Sequence, residues 1–150
     1  AFGMHVQVWG GEASRSRAVT DGCEAAPSCE AFFETSDVLS LHLRLVPETS
    51  GVVRREGMVR MKSTALFVNT SRAELVAENA LVSALNRSRP GMAAVDVFES
   101  EPILQGHPLL RLENAVCTPP TSSTSAPRST TSSRSSISSR RTSSIPRRSR

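Results

Sequence analysis

From residue 4 to residue 118, short apolar runs alternate with stretches whose apolar residues recur at helical spacing. His5 to Trp9 (HVQVW) predicts a strand ended by Gly10-Gly11. Ser14 is placed to cap a short polar helix that stops near Gly22, and Ser28 to cap a second helix, CEAFFET, with Glu30 and Ala31 in its first turn. Asp37 to Leu43 (DVLSLHL) reads as a strand, with Pro47 ending any continuation. REGMVRM predicts a short helix, and Thr64 to Thr70 (TALFVNT) a buried strand. In ELVAENALVSALNRS, Leu75, Val76, Leu81, Val82 and Leu85 fall at helical spacing, which predicts one helix running up to Pro90-Gly91. Gly91 to Phe98 and Asn114 to Thr118 supply the last two strands.

ALFVNT and MAAVDV are apolar at successive positions. Such strands are expected where helices cover both sides of a parallel sheet. The alternation of strand and helix therefore predicts an α/β fold, a Rossmann-like doubly wound parallel sheet. Ligands of such sheets bind beyond the carboxyl ends of the strands, so the polar residues that follow the strands are the candidates for chemistry.

Composition divides the chain near residue 120. The full 150 residues carry a formal +4, yet residues 121–150 hold 13 Ser, 5 Thr and 7 Arg with no acid, which leaves −3 for residues 1–120. The expected division is a partial nucleotide-binding domain over residues 1–119 and a basic Ser/Arg-rich tail over residues 120–150, whose composition cannot build a core and predicts disorder. Cys23, Cys29 and Cys117 make no disulfide framework and show no zinc-ligand spacing, which suits free thiols in a cytoplasmic protein. No apolar run approaches the roughly 18 residues a membrane helix needs. AFGMHVQVWGG lacks the basic and apolar regions of a signal peptide.

The strand ends carry VNTSRAEL (Val68 to Leu75), AAVDVFESEP (Ala93 to Pro102) and HPLL…NAVCTP (His107 to Pro119). With SDVLSLHL…PET (Ser36 to Thr49), their order and spacing resemble the NAD-binding domain of the D-isomer-specific 2-hydroxyacid dehydrogenases over roughly residues 1–119. The resemblance implies hydride transfer between nicotinamide and a small 2-hydroxy or 2-oxo acid. Arg72 matches the catalytic arginine, whose planar fork can hold a carboxylate and polarise the adjacent carbonyl. Glu101 matches the glutamate that orients and charges a catalytic histidine, with Glu99 an ordinary solvated acid beside it. Asp96 matches the aspartate near the nicotinamide carboxamide, Thr70 and Ser71 the stretch lining the cofactor, and Leu43 a main-chain contact. His42, expected to make a structural hydrogen bond, and His107, expected in the loop before the last strand, do not hold the catalytic histidine's position. Trp9 and Phe98 read as packing residues.

The sequence departs from the family pattern in three places. The Gly-rich G-x-G-x-x-G fingerprint, which binds pyrophosphate at a helix N-terminus, has no counterpart, the chain being expected to start after it. The acid expected to receive the adenosine ribose hydroxyls falls on Gly10, with Glu12 nearby, so NAD is the expected cofactor and NADP stays open. Pro120 replaces the histidine of Thr-Pro-His-x-Gly, and a proline cannot donate a proton. A shifted reading frame is one account of the tail, since Pro120-Thr121-Ser122 can be encoded so that the neighbouring frame reads His-Ile. The expected partners are a small 2-hydroxy or 2-oxo acid and a second copy, because relatives pair through this domain. Two alternatives remain: a non-enzymatic dinucleotide-binding module, and a tether for nucleic acid or anionic surfaces through the tail. The tail's charge suits the second, but no aromatic is interleaved to stack on bases.

Overall fold

The computed structural model describes residues 3–99 and 106–118. β1 (Gln7–Val8) and β2 (Glu24–Ala25) are joined by α1 (Glu12–Thr20) and form a small parallel ladder of their own. α2 (Cys29–Thr35) then leads into β3 (Val38–Ser40), α3 (Arg55–Met58) into β4 (Leu66–Asn69), and α4 (Ala80–Leu85) into β5 (Met92–Val95). β6 (Ala115–Cys117) completes a four-stranded parallel sheet whose spatial order is the chain order, β3-β4-β5-β6. The architecture is the expected Rossmann-like one, parallel strands with helical connections. The tail lies outside the described residues.

The register puts Leu39, Phe67, Ala93 and Ala115 side by side across the sheet. With Val95, the first three join Phe33, Met58, Leu75, Leu81, Ala84 and Leu85, the side chains of α2, α3, α4 and the turn before α4, in one buried cluster, and the half-buried Ala115 packs against it. Phe67 and Met58 are fully enclosed. The opposite face carries Val38, Leu66, Val68, Met92, Ala94 and Val116. There the expectation of helices on both sides is not met among the described residues: Val38 is 57% exposed, Met92 48% and Val116 50%. The reason is topological. Connections between parallel strands are right-handed, so strands laid down in one direction place all their crossovers on the same face.

Local signals explain most elements. Ser28 Oγ accepts from Ala31 N at 3.1 Å, and α2 begins at the next residue as expected. At α1 the cap is Gly11 rather than Ser14: the Gly11 carbonyl accepts from the backbone N–H of both Ser14 and Arg15, which places Ser14 inside the helix. The helix expected from Glu74 onward is broken. A 3-10 turn spans Ala73–Leu75, Val76 is extended, and α4 starts only after Asn79, whose φ of 57° is left-handed. Another segment has captured the hydrogen bonds. Gly51 N donates to Glu74 O, Val53 N to Leu75 O and Ala77 N to Val53 O, closing a parallel bridge between Val53 and Val76. Asn tolerates the left-handed conformation at which the helix restarts.

The three cysteines are unpaired. Burial pushes the Cys117 thiol up. It does the same for Cys29, with the Glu30 carboxylate reinforcing it and a hydrogen bond from Trp9 opposing. Since the thiolate is the nucleophile, iodoacetamide should alkylate both more slowly than N-acetylcysteine at pH 8, with rates climbing only above the ordinary value of 9.0. Equal rates would show the thiols to be open to water. At Gly91, which leads into β5, an added Cβ would collide with the Ser63 carbonyl, a backbone atom that cannot turn aside. Gly91→Ala should therefore cost about 2 kcal/mol and Phe67→Ala about 3–5 kcal/mol in urea denaturation, whereas Val38→Ala should cost well under 1 kcal/mol.

Candidate active site

Four parallel strands bring four carboxyl ends to one edge of the sheet. Leu41, His42 and Leu43 follow β3; Thr70, Ser71 and Arg72 follow β4; Asp96 follows β5; Thr118 follows β6. The backbone ladder extends one residue past the strands, with Leu41 N donating to Val68 O, Asp96 N to Asn69 O and Thr118 N to Val95 O, each at 3.0 Å.

Side chains then tie the tips together. Ser71 Oγ donates to the Leu43 carbonyl at 3.0 Å, linking the ends of β4 and β3. Thr118 Oγ1 donates to Asp96 Oδ1 at 2.7 Å, linking β6 and β5. Asn69, 2% exposed, accepts from Ser71 N at 3.1 Å through Oδ1 and donates to Arg72 O at 3.0 Å through Nδ2. Asn and Asp readily close such a turn on the backbone two residues ahead. Sequence reasoning missed both Asn69 and Thr118. The Asn before Thr-Ser was the available sign of the turn; nothing local announced the Thr118 contact, which spans 22 residues.

The structure thus brings Leu43, Thr70, Ser71, Arg72 and Asp96 to neighbouring strand tips. The exposed Arg72 makes one long contact through Nη1, 3.4 Å to the Ser71 carbonyl, and no ion pair among the described residues. Its backbone carbonyl is held, and no acid among the described residues pairs with its guanidinium. Asp96 has one oxygen engaged by Thr118, and the other meets no donor among the described residues. Glu101 lies outside the described residues.

The histidines divide. His42 is exposed and its ring makes no hydrogen bond to another described residue, so the expected structural bond is not found there. His107 does precede the last strand, capping a 3-10 turn over Pro108–Arg111. Its Nδ1 accepts from Leu109 N at 3.3 Å, which assigns the proton to Nε2, 3.6 Å from Glu99 Oε2. Glu99 is exposed, and at that distance it makes no hydrogen bond to the ring. Phe98 is buried and meets the His107 ring edge-on, while Trp9 lies under the Arg15 guanidinium, 5.0 Å from the ring centre. A cavity of about 540 Å³ lies on the α4 side of the strand tips, walled in part by Asn69, Leu81, Val95, Phe98 and His107. None of Leu43, Thr70, Ser71, Arg72 and Asp96 lines it.

Toward a dinucleotide the residues fit in part. Beyond the tips of β4 and β5, a guanidinium without an ion pair and a carboxylate oxygen without a donor among the described residues suit an acid and an amide. At the tip of β1, Gly10 offers no carboxylate, and the nearest acid is the exposed Glu12 opening α1.

Known proteins resemble the chain closely. A solved structure from Ralstonia solanacearum, a provisional D-3-phosphoglycerate dehydrogenase oxidoreductase, is 65% identical with a TM-score of 0.77, covering 79% of this chain and 34% of that one. A glyoxylate reductase from Korarchaeum cryptofilum is 45% identical over 104 residues, 69% of this chain and 31% of the relative. A D-isomer specific 2-hydroxyacid dehydrogenase from Xanthobacter autotrophicus, solved with NADPH, is 32% identical with a TM-score of 0.60, covering 66% of this chain and 42% of that one. The chain spans about a third of the length of the first two relatives. Residues 1–122 match the model of the D-isomer specific 2-hydroxyacid dehydrogenase NAD binding domain, and the chain belongs to that family.

Proposed function

We propose that the chain is the nucleotide-binding part of an NAD(P)-dependent D-2-hydroxyacid dehydrogenase, with residues 1–119 as that domain and residues 120–150 as a basic appendage. The supporting observation is that Arg72, without an ion pair among the described residues, follows β4, while Asp96 follows the neighbouring strand β5. The substrate class is a small 2-oxo or 2-hydroxy acid. A bound nicotinamide would supply or accept the hydride at the substrate's C2.

Arg72 holds the substrate carboxylate and polarises the neighbouring carbonyl, so its charge is most useful as negative charge grows on that oxygen. Asp96 would hold the nicotinamide carboxamide through the oxygen that Thr118 does not engage, and Thr70, Ser71 and the Leu43 main chain would line the cofactor. Glu101 is the carboxylate that would orient and charge the motif's histidine, whose position Pro120 occupies in this chain. Glu12 stands in for the missing acid at Gly10, and its charge disfavours a 2′-phosphate, so NAD is the proposed cofactor. The protein works in the cytoplasm; no helix among the described residues is long and apolar enough to cross a membrane.

Pro120 gives this polypeptide no proton donor at the motif's histidine position, and loss of a general acid costs roughly 10²–10⁴-fold. Purified as 150 residues, it should oxidise NADH with glyoxylate or hydroxypyruvate at least about a hundredfold more slowly than a relative that keeps the histidine. Turnover within about tenfold of that relative would overturn this reading of Pro120. Oxalate, a non-reacting dicarboxylate, should shift the Ser71 and Arg72 amide signals in an NMR titration. Arg72→Gln should weaken that binding about tenfold or more, the worth of a charge-assisted hydrogen bond. An unchanged titration would remove Arg72 from the substrate site.

A further inference from the structure

We infer that Asn69 is a positioning residue, the single side chain that sets Ser71 and Arg72 in place relative to Asp96. The inference rests on the reading of Arg72 as the substrate-carboxylate ligand and names what holds it there.

Three polar groups of Asn69 reach three candidate site residues. Its backbone carbonyl accepts from Asp96 N at 3.0 Å, its Oδ1 from Ser71 N at 3.1 Å, and its Nδ2 donates to Arg72 O at 3.0 Å. The loop from 70 to 72 is thereby fixed at two successive residues from a strand that also fixes Asp96. Ser71 passes the constraint on through its hydroxyl bond to Leu43 O. The long Arg72 side chain is free, but its origin is not.

Packing alone does not call for an amide here. Asn69 pairs with Val95, which pairs with Cys117, and Leu41 flanks it on the β3 side, so its row at this end of the sheet is otherwise apolar. At 2% exposure an amide carries a desolvation cost that its hydrogen bonds must offset, and an aliphatic residue of similar volume would carry none. No near relative replaces it. Aspartate keeps the acceptor for Ser71 but loses the donor to Arg72; serine is too short to reach both; leucine loses both.

The test compares the 150-residue chain with Asn69→Leu and Asn69→Asp, reading amide hydrogen exchange and oxalate titration together. In Asn69→Leu, exchange at Ser71 should accelerate roughly tenfold or more relative to the Phe67 and Ala93 amides, and oxalate affinity should fall roughly tenfold, as for displacement of a reacting group by a fraction of an ångström to an ångström. In Asn69→Asp the Ser71 amide should remain protected while oxalate affinity still falls. A purely structural role would move the strand amides in step with Ser71, and that result overturns the inference. So does undiminished oxalate affinity in both variants. Should Asn69→Leu fail to fold, the Asn69→Asp pattern decides, because it separates the two side-chain bonds within one protein. The Arg72→Gln titration keeps the underlying reading distinguishable: if that variant binds oxalate normally, Arg72 is not the ligand, whatever exchange shows at Ser71.

Discussion

Parallel pairing is the constraint from which the rest of this molecule follows. Strands that all run one way cannot be joined by tight turns; each must be followed by a crossover long enough to return to the start of the next. Because crossovers are right-handed, the sequential order β3-β4-β5-β6 sends the described connections, through α3, α4 and the 3-10 turn at Pro108–Arg111, over one face. That face closes over Leu39, Phe67, Ala93 and Val95 and becomes the core. The same geometry collects four carboxyl ends at one edge, where the chain must leave the ladder and its polar side chains can turn outward. Core and candidate site are two consequences of one topological rule.

That edge is held by hydrogen bonds rather than by packing. Ser71 to Leu43, Asp96 N to Asn69 O, and Thr118 to Asp96 form links between β3 and β4, β4 and β5, and β5 and β6 in turn. A chain of such bonds gives the polar groups at the strand tips fixed separations. Arg72 contrasts with its surroundings. Elsewhere, Arg60 and Lys62 reach Glu34 and Asp37 at 2.7 Å, whereas the Arg72 guanidinium makes no ion pair among the described residues. Exposed pairs of this kind contribute little stability, so the difference bears on availability of charge rather than on folding.

The sequence was most legible where one local signal decided the outcome. Ser28 followed by an apolar-periodic segment needed no tertiary information to mark the start of α2, and the apolar run through Phe67 could only be a buried strand. It was least legible where a distant segment competed. The periodicity from Leu75 to Leu85 is helical, yet Val53 captures the backbone on either side of Val76, and no pattern within Glu74 to Ser88 reveals that competitor. The bare sheet face was hidden for a related reason. Apolar residues on both sides of β4 and β5 announce that both faces will be covered, but not which segment does it. At the site, the motif gave Arg72 and Asp96 by type and order, while Asn69 and Thr118 became visible only through the atoms they touch.

The buried amide at β4 shows how stability and function diverge at one position. Every other member of its row is apolar, and Leu41, Val95 and Cys117 would pack against an aliphatic neighbour without unmet polar atoms. The amide is tolerated because both ends of its side chain are satisfied by backbone groups of the same loop, which makes its desolvation cost inseparable from the order of that loop. Loss of either bond would leave a buried polar atom without a partner, so the loop has strong reason to occupy one conformation rather than several. The attachment point of the Arg72 side chain is thereby tied to the strand that also holds Asp96, which is what the proposed grip on a carboxylate asks of it.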